Sequence, residues 1–187
     1  MSLPVPTVIR DTRERKPYSL VDTSLVNYKP KVLLFGDYAT PMQCVRHKFK
    51  GVPGIRDGWH IVPRFSIERK GISDYISSWH GGGSGESKKL YVARQASEKL
   101  GYQCYFWYVL DGFSTDIRAR LLRHPWKAWR NGAGLLWPEV RAKMNNLRVK
   151  GYRVITCAHK LDAEENALDI LTDFDKVHGR PKRKESK

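Results

Sequence analysis

Apolar and polar residues alternate along "RFSIERK" at 64–70. A period of two predicts a strand with Phe65 and Ile67 on one face and Ser66, Glu68 and Lys70 on the other. "TVIRD" predicts a short strand ending at Asp11. The continuous apolar run "KVLLF" at 31–35, closed by Gly36, predicts a buried strand. "QCYFWYVL" and "YRVITC", rich in aromatic and β-branched residues, predict two more. The period lengthens elsewhere. Ile72, Tyr75, Ile76 and Trp79 fall at helical spacing, with Gly81 beyond. Leu90, Ala93, Ser97 and Leu100 line a helix from about Ser87 to Leu100, which Gly101 stops. "PEVRAKMNNLRVKG" predicts a helix with Pro138 in its first turn. "LDAEENALDILTDF" predicts another, with Asp162 as N-cap and Glu165 three residues on. Residues 39–63 carry Pro41, Gly51, Pro53, Gly54, Gly58 and Pro63 and read as mostly loop, with room for a hairpin. "HGGGSGES" at 80–87 has the composition of a flexible loop.

Several strands in the first half, then strands alternating with helices, predict an α/β fold with a mixed central sheet flanked by helices. A single domain is expected over 1–177. The basic stretch "HGRPKRKESK" at 178–187 has no apolar residue and is expected to be a disordered tail.

Charge narrows the partner. Across 187 residues, 34 Lys and Arg against 19 acids give a formal net charge of +15, which favours a polyanion such as DNA. No run reaches the ~20 apolar residues of a membrane span. The first residues lack the charged and apolar regions of a secretory signal. Three widely spaced cysteines, Cys44, Cys104 and Cys157, make neither a disulfide framework nor a zinc site. An intracellular protein is expected, in cytoplasm or nucleoid, or in the nucleus of a eukaryote. The six histidines show no metal-ligand spacing.

Asp37 leaves the chain at a predicted strand end, and Glu68 and Lys70 share a strand face. If those strands are neighbours, the three converge. Two carboxylates suit Mg²⁺ or Mn²⁺, which prefer oxygen ligands and keep several waters. A backbone carbonyl at Arg69 can add to the coordination, and a nearby ammonium can orient a water and neutralise a phosphate. On spacing alone, a solvated strand face explains the same residues.

The neighbouring residues add specificity. "GDY" and "ERKGISD" together resemble the pattern G-D-x(n)-E-R-K-x-x-x-D of the XPF-type nuclease domain, found in flap and crossover-junction endonucleases. "IRDTRE" resembles the D-x-R-E strand with which such domains often begin. The resemblance covers roughly 7–175 and is poor over 111–145. It implies a restriction-endonuclease-like PD-(D/E)xK fold and Mg²⁺- or Mn²⁺-dependent cleavage of DNA, often at branches or junctions. It implies Asp37 and Glu68 as metal ligands, Lys70 as the catalytic lysine and Asp11 as a further acidic position, with Glu14 as its companion. Arg69 and Asp74 fall at supporting positions that order the site or contact DNA. Where relatives often carry a glycine-arginine pair, this chain has "GGGSGESKK", so Lys88, Lys89 or Arg94 is expected to supply the charge. The insert "VRHKFKGVPGIRDGWH" is unusual, and no tandem helix-hairpin-helix pattern follows. The resemblance further implies a homodimer or a related partner subunit, for which 163–174 and 126–137 are candidate surfaces. Two rivals stand beside the enzyme. One is a non-catalytic DNA-binding or scaffold subunit on the same fold; such subunits tend to lose the acids or the lysine, all present here. The other is an RNA-binding protein using its charge and Trp126, Trp129 and Trp137.

Overall fold

The computed structural model describes residues 6–13, 26–71, 84–111, 137–149 and 152–179. Strands β1 (Thr7–Asp11), β2 (Asn27–Lys31), β3 (Tyr38–Ala39), β6 (Phe65–Gly71), β7 (Tyr105–Asp111) and β8 (Val154–Thr156) form one sheet in the order β2-β1-β3-β6-β7-β8. The β1–β2 pair is parallel and the β6–β7–β8 group is parallel. β3 runs antiparallel to both of its neighbours, so the sheet is mixed. A separate hairpin pairs β4 (Cys44–Phe49) with β5 (Gly58–Pro63). The α-helices among the described residues are α1 (Ser84–Leu100), α2 (Trp137–Val149) and α3 (Lys160–His178). The fold is the α/β arrangement expected, a mixed central sheet flanked by helices.

Each face of the sheet has its own core. On one side Phe106, Tyr108 and Leu110 of β7 pack with Val92, Ala93 and Ala96 of α1, Met144 and Leu147 of α2, and Phe49 and Val62 of the hairpin. On the other, Phe65 and Ile67 of β6 and Val109 of β7 pack with Ala163, Ala167 and Leu171 of α3. Phe174 stacks on Phe65 with centroids 4.1 Å apart. Alternation thus holds in β6 and β7, but both faces are buried, as in sheets covered by helices. The apolar face of α3 is used on the sheet, so a dimer contact through 163–174 would have to use its polar face. Polar bonds fix the far end of α3: Thr40 Oγ1 and Gln43 Nε2 donate to Asp175 Oδ1 at 2.7 and 2.8 Å.

Some sequence expectations are corrected. The apolar run 31–35 is buried at Leu33 and Phe35 but is no strand; β2 lies earlier, at Asn27–Lys31. β1 ends at Asp11, paired with Lys31, and the run has no ladder to continue. Its backbone is satisfied otherwise. Leu33 N–H donates to Asp11 Oδ2 at 3.1 Å, its carbonyl accepts from Arg13 Nη2, and Leu34 N–H donates to Ile61 O at 2.8 Å. Buried backbone groups need partners, and here side chains and the hairpin supply them in place of a strand. Residues 39–63 are less loop than expected, and the hairpin for which they left room is present as Cys44–Phe49 paired with Gly58–Pro63. α1 begins at Ser84, ahead of the expected Ser87. The α3 start also shifts: His159 is the N-cap, and its N–H donates to Asp162 Oδ2 at 3.3 Å. The helix expected over 72–79, most of the aromatic stretch 111–136, Glu14 and residues 180–187 of the expected tail lie outside the described residues, while His178 and Gly179, expected in that tail, end and cap α3.

The three cysteines are free thiols. Burial pushes the Cys104 thiol up from its ordinary 9.0 to about 11. Between about pH 9 and 11 the folded state therefore binds more protons than the unfolded state, and stability must fall as pH rises through that window. The full separation corresponds to about 2–3 kcal/mol. The expected result is a smaller alkaline loss of stability in Cys104→Ala than in the wild type, read from urea midpoints at pH 8 and 11. Equal losses would refute it.

Candidate active site

The register of three strands builds the site. Tyr38 on β3 pairs with Arg10 on β1 and with Ile67 on β6. One step along the β1–β3 pair Asp37 falls opposite Asp11, and Lys89 Nζ, which donates to Glu68 Oε1 and lies 4.0 Å from Asp37 Oδ1, places Glu68 of β6 beside Asp37. Backbone bonds hold Asp37 between β1 and β6: Asp11 N–H donates to Asp37 O, and Asp37 N–H donates to Ile67 O, both at 2.8 Å. Residues directly opposite share a sheet face. Three acids from distant parts of the chain thus stand side by side, 2%, 7% and 2% exposed for Asp11, Asp37 and Glu68. Tyr38 and Ile67 point the other way, into the core under α3.

Gly36 permits the approach. Its φ is +74°, a conformation that favours glycine, and a Cβ there would stand 2.3 Å from Ser66 Oγ. The chain can therefore run tightly against β6 just before Asp37.

Like charges in a row repel, and two cations offset this. Arg13 binds Asp11 through its backbone N–H at 2.7 Å, Nε at 3.0 Å and Nη2 at 2.6 Å. That bond, with the charges of Asp11, Asp37 and Glu68, raises the guanidinium's pKa against the opposing effect of burial. Arg13 therefore senses all three acids. Lys89, on α1, donates to Glu68 Oε1, and its Nζ lies 4.0 Å from Asp37 Oδ1. One ammonium spans both carboxylates. Arg69 N–H donates to Asp37 Oδ2 at 2.8 Å, which fixes the orientation of that carboxylate.

The structure sorts the residues picked out from sequence. Asp11, Asp37 and Glu68 form the row, and Lys70 stands two residues beyond Glu68, on the same strand face by alternation. Arg69 contributes its backbone amide, while its side chain belongs to the opposite face. Of the three basic candidates on α1, Lys89 enters the site. Lys88 is exposed, and exposed Arg94 donates from Nε to Glu98 at 3.0 Å. Asp74 lies outside the described residues. Arg13 was missed as a site residue; the available signal was a cation two positions after an acid that ends a strand.

The donor set fits a hard divalent cation. Asp37 and Glu68 bring carboxylate oxygens within reach of one common cation, as Lys89 shows, and such ions take oxygen ligands. Asp11 is committed to Arg13 and Leu33. No group of three or more His, Cys, Asp or Glu among the described residues is arranged to hold a metal by itself. Open positions filled by water or phosphate are the usual situation for Mg²⁺.

Fold and site together define an α/β protein with a carboxylate pair and lysines on one face of a mixed sheet. Among solved structures, the chain is similar to XPF from Aeropyrum pernix, at 21% identity and a TM-score of 0.47, over 91% of this chain and 66% of that one. It is similar also to XPF from Aeropyrum pernix in complex with DNA, at 22% identity and a TM-score of 0.47, over 90% and 66%. The chain thus spans just under two thirds of those proteins. No protein-family model matches it, and no curated protein does. Among the described residues, no helix is long and apolar enough to cross a membrane.

Proposed function

We propose that this protein is a metal-dependent DNA endonuclease that hydrolyses phosphodiester bonds, preferentially in branched or junction DNA. The observation that carries the reading is that one cation, Lys89 Nζ, reaches both carboxylates, donating to Glu68 Oε1 and lying 4.0 Å from Asp37 Oδ1. The motif residues "GDY" and "ERK", and the net charge of +15, agree with it.

Asp37 and Glu68 would hold Mg²⁺ or Mn²⁺. Bound there, the ion would supply Lewis acidity at a phosphate oxygen and a more acidic bound water. The chain's own residues do the rest. Arg69 N–H holds the Asp37 carboxylate in place. Arg13 restrains the Asp11 carboxylate beside it. The Lys70 ammonium orients water on the Glu68 face and offsets charge on the phosphate as it is attacked. Lys89 balances the two carboxylates and must yield its place to a divalent ion.

The test is cleavage of end-labelled linear, flap, fork and four-way DNA with Mg²⁺ or Mn²⁺. Cutting of the branched substrates, abolished by EDTA, is expected. Lys70→Ala is expected to lower the rate about 10²-fold or more, the usual contribution of a positioned proton-transfer or charge-balancing group. Cutting at the wild-type rate by Lys70→Ala would remove that lysine from the mechanism. No cutting of any substrate by the wild type would defeat the nuclease reading.

A further inference from the structure

The hairpin β4–β5 occupies the unusual insert between Asp37 and Glu68, and its two faces differ sharply. Val45, Phe49 and Val62 face inward against the core shared with α1. The pairs Arg46 with Ile61 and Lys48 with Trp59 belong to the other face, where Ile61 packs on Leu33 and Ala39 and the remaining three side chains are exposed. Arg46 and Lys48 are exposed, and Trp59 is 59% exposed, a large apolar ring left in water. The Arg46 guanidinium lies over the Trp59 ring, 4.7 Å from its centroid. That contact holds the ring in one orientation.

The charge is one-sided. Arg46, Lys48, Lys50 and Arg56 face a single acid in the hairpin, Asp57, and Asp57 is used at the turn, accepting from Gly51 N–H at 2.8 Å. A base stacks on an aromatic ring whatever its identity, and neighbouring cations take the backbone phosphates. A double helix keeps its base faces stacked on one another, so an isolated ring has nothing to stack on there. The hairpin is also tied to the carboxylate row. Leu33 bridges to Ile61, Leu34 N–H donates to Ile61 O, and Leu33 is itself held by Asp11 and Arg13.

We infer that the outer face of β4–β5 is a docking platform for an unpaired strand of DNA, with Trp59 stacking on a base and Arg46 and Lys48 contacting its phosphates. This deepens the nuclease reading, since it supplies a preference for substrates with single-stranded arms, and it rests on that reading for its purpose. Binding is nonetheless separable from cutting.

The experiment is fluorescence anisotropy in EDTA with a labelled fork carrying a single-stranded arm and a blunt duplex of matched length. The wild type is expected to bind the fork more tightly than the duplex. Trp59→Ala and Trp59→Leu should each weaken fork binding roughly ten-fold and change duplex binding little. Trp59→Phe, which keeps a ring, should retain most of it. Arg46→Ala with Lys48→Ala should reduce the slope of log Kd against log salt by about 1.4, two phosphates on a single strand. Melting curves of the Trp59 variants should match the wild type, since the ring is largely in water.

Fork binding unchanged in Trp59→Ala would overturn the inference, as would equal loss on fork and duplex or a wild type without fork preference. If Trp59→Ala binds and cuts like the wild type, the platform is wrong and the nuclease stands. If the wild type never cuts but loses fork binding with Trp59→Ala, the platform stands and the nuclease reading falls.

Discussion

Glu68→Gln and Asp37→Asn are each expected to lower Mg²⁺-dependent cleavage by about 10³-fold or more while leaving DNA binding in EDTA within a few-fold of the wild type. Each substitution keeps the shape of the side chain and removes one negative charge. A bound metal contributes several kcal/mol of charge stabilisation in such reactions, and each 1.36 kcal/mol is a factor of ten. Weakening its ligand set therefore removes decades of rate. Stability should respond differently. Asp37 stands between two other acids, and like charges directly opposite one another destabilise a sheet. Asp37→Asn should melt no lower than the wild type, and Arg69 N–H can still donate to the amide oxygen. Full activity in either variant would show that the row is structural. Loss of activity with a collapsed melting temperature would point to folding as the cause, and Asp37→Asn is the variant best protected against that confusion.

Gly36→Ala is expected to destabilise the fold by about 2–5 kcal/mol. Two effects add. An L-residue at a left-handed φ costs about 1–2 kcal/mol. Overpacking a filled site costs about 1–3 kcal/mol more. The second arises because the new Cβ would stand 2.3 Å from Ser66 Oγ and 2.6 Å from Ser66 Cβ. Ser66 is fully buried on β6 and has little room to retreat. The steric part can be isolated with Ser66→Gly. The double variant should recover about 1–3 kcal/mol relative to additivity, measured as a coupling free energy in urea. Strict additivity would mean that the backbone conformation, and not the close approach, governs the site. Because Gly36 directly precedes Asp37, any shift that relieves the clash displaces a carboxylate of the row.

Much of this was readable locally. Alternation in "RFSIERK" placed Glu68 and Lys70 on one face and Phe65 and Ile67 on the other, and the cores on the two sides of the sheet agree. "TVIRD" ended where β1 ends, at Asp11, and Gly101 stops α1. The acids themselves were recognisable, Asp37 after a glycine and Glu68 two residues before a lysine. The run 31–35 shows the limit. Its apolar character predicted burial correctly at Leu33 and Phe35 but not at exposed Val32, and predicted strand wrongly, because whether a segment joins a ladder depends on a neighbour still being there to pair with. β1 had already ended, and Asp11 and Arg13 supplied the missing bonds.

The choice of Lys89 over Lys88 and Arg94 was equally out of reach, since the sheet face that α1 packs against decides which of its basic residues meets Glu68. The same holds for Arg13, whose importance appears only once Asp11, Asp37 and Glu68 stand in one row, and for Trp59, whose exposure depends on which face of the hairpin α1 covers. The sequence by itself determined the periodicities, the strand and helix stops, the charge and the identity of the reactive groups, because these are set by neighbours a few residues apart. The tertiary structure decided register, pairing and exposure. Those depend on contacts between segments far apart in the chain, where a shift of one residue would turn each carboxylate to the other face of the sheet.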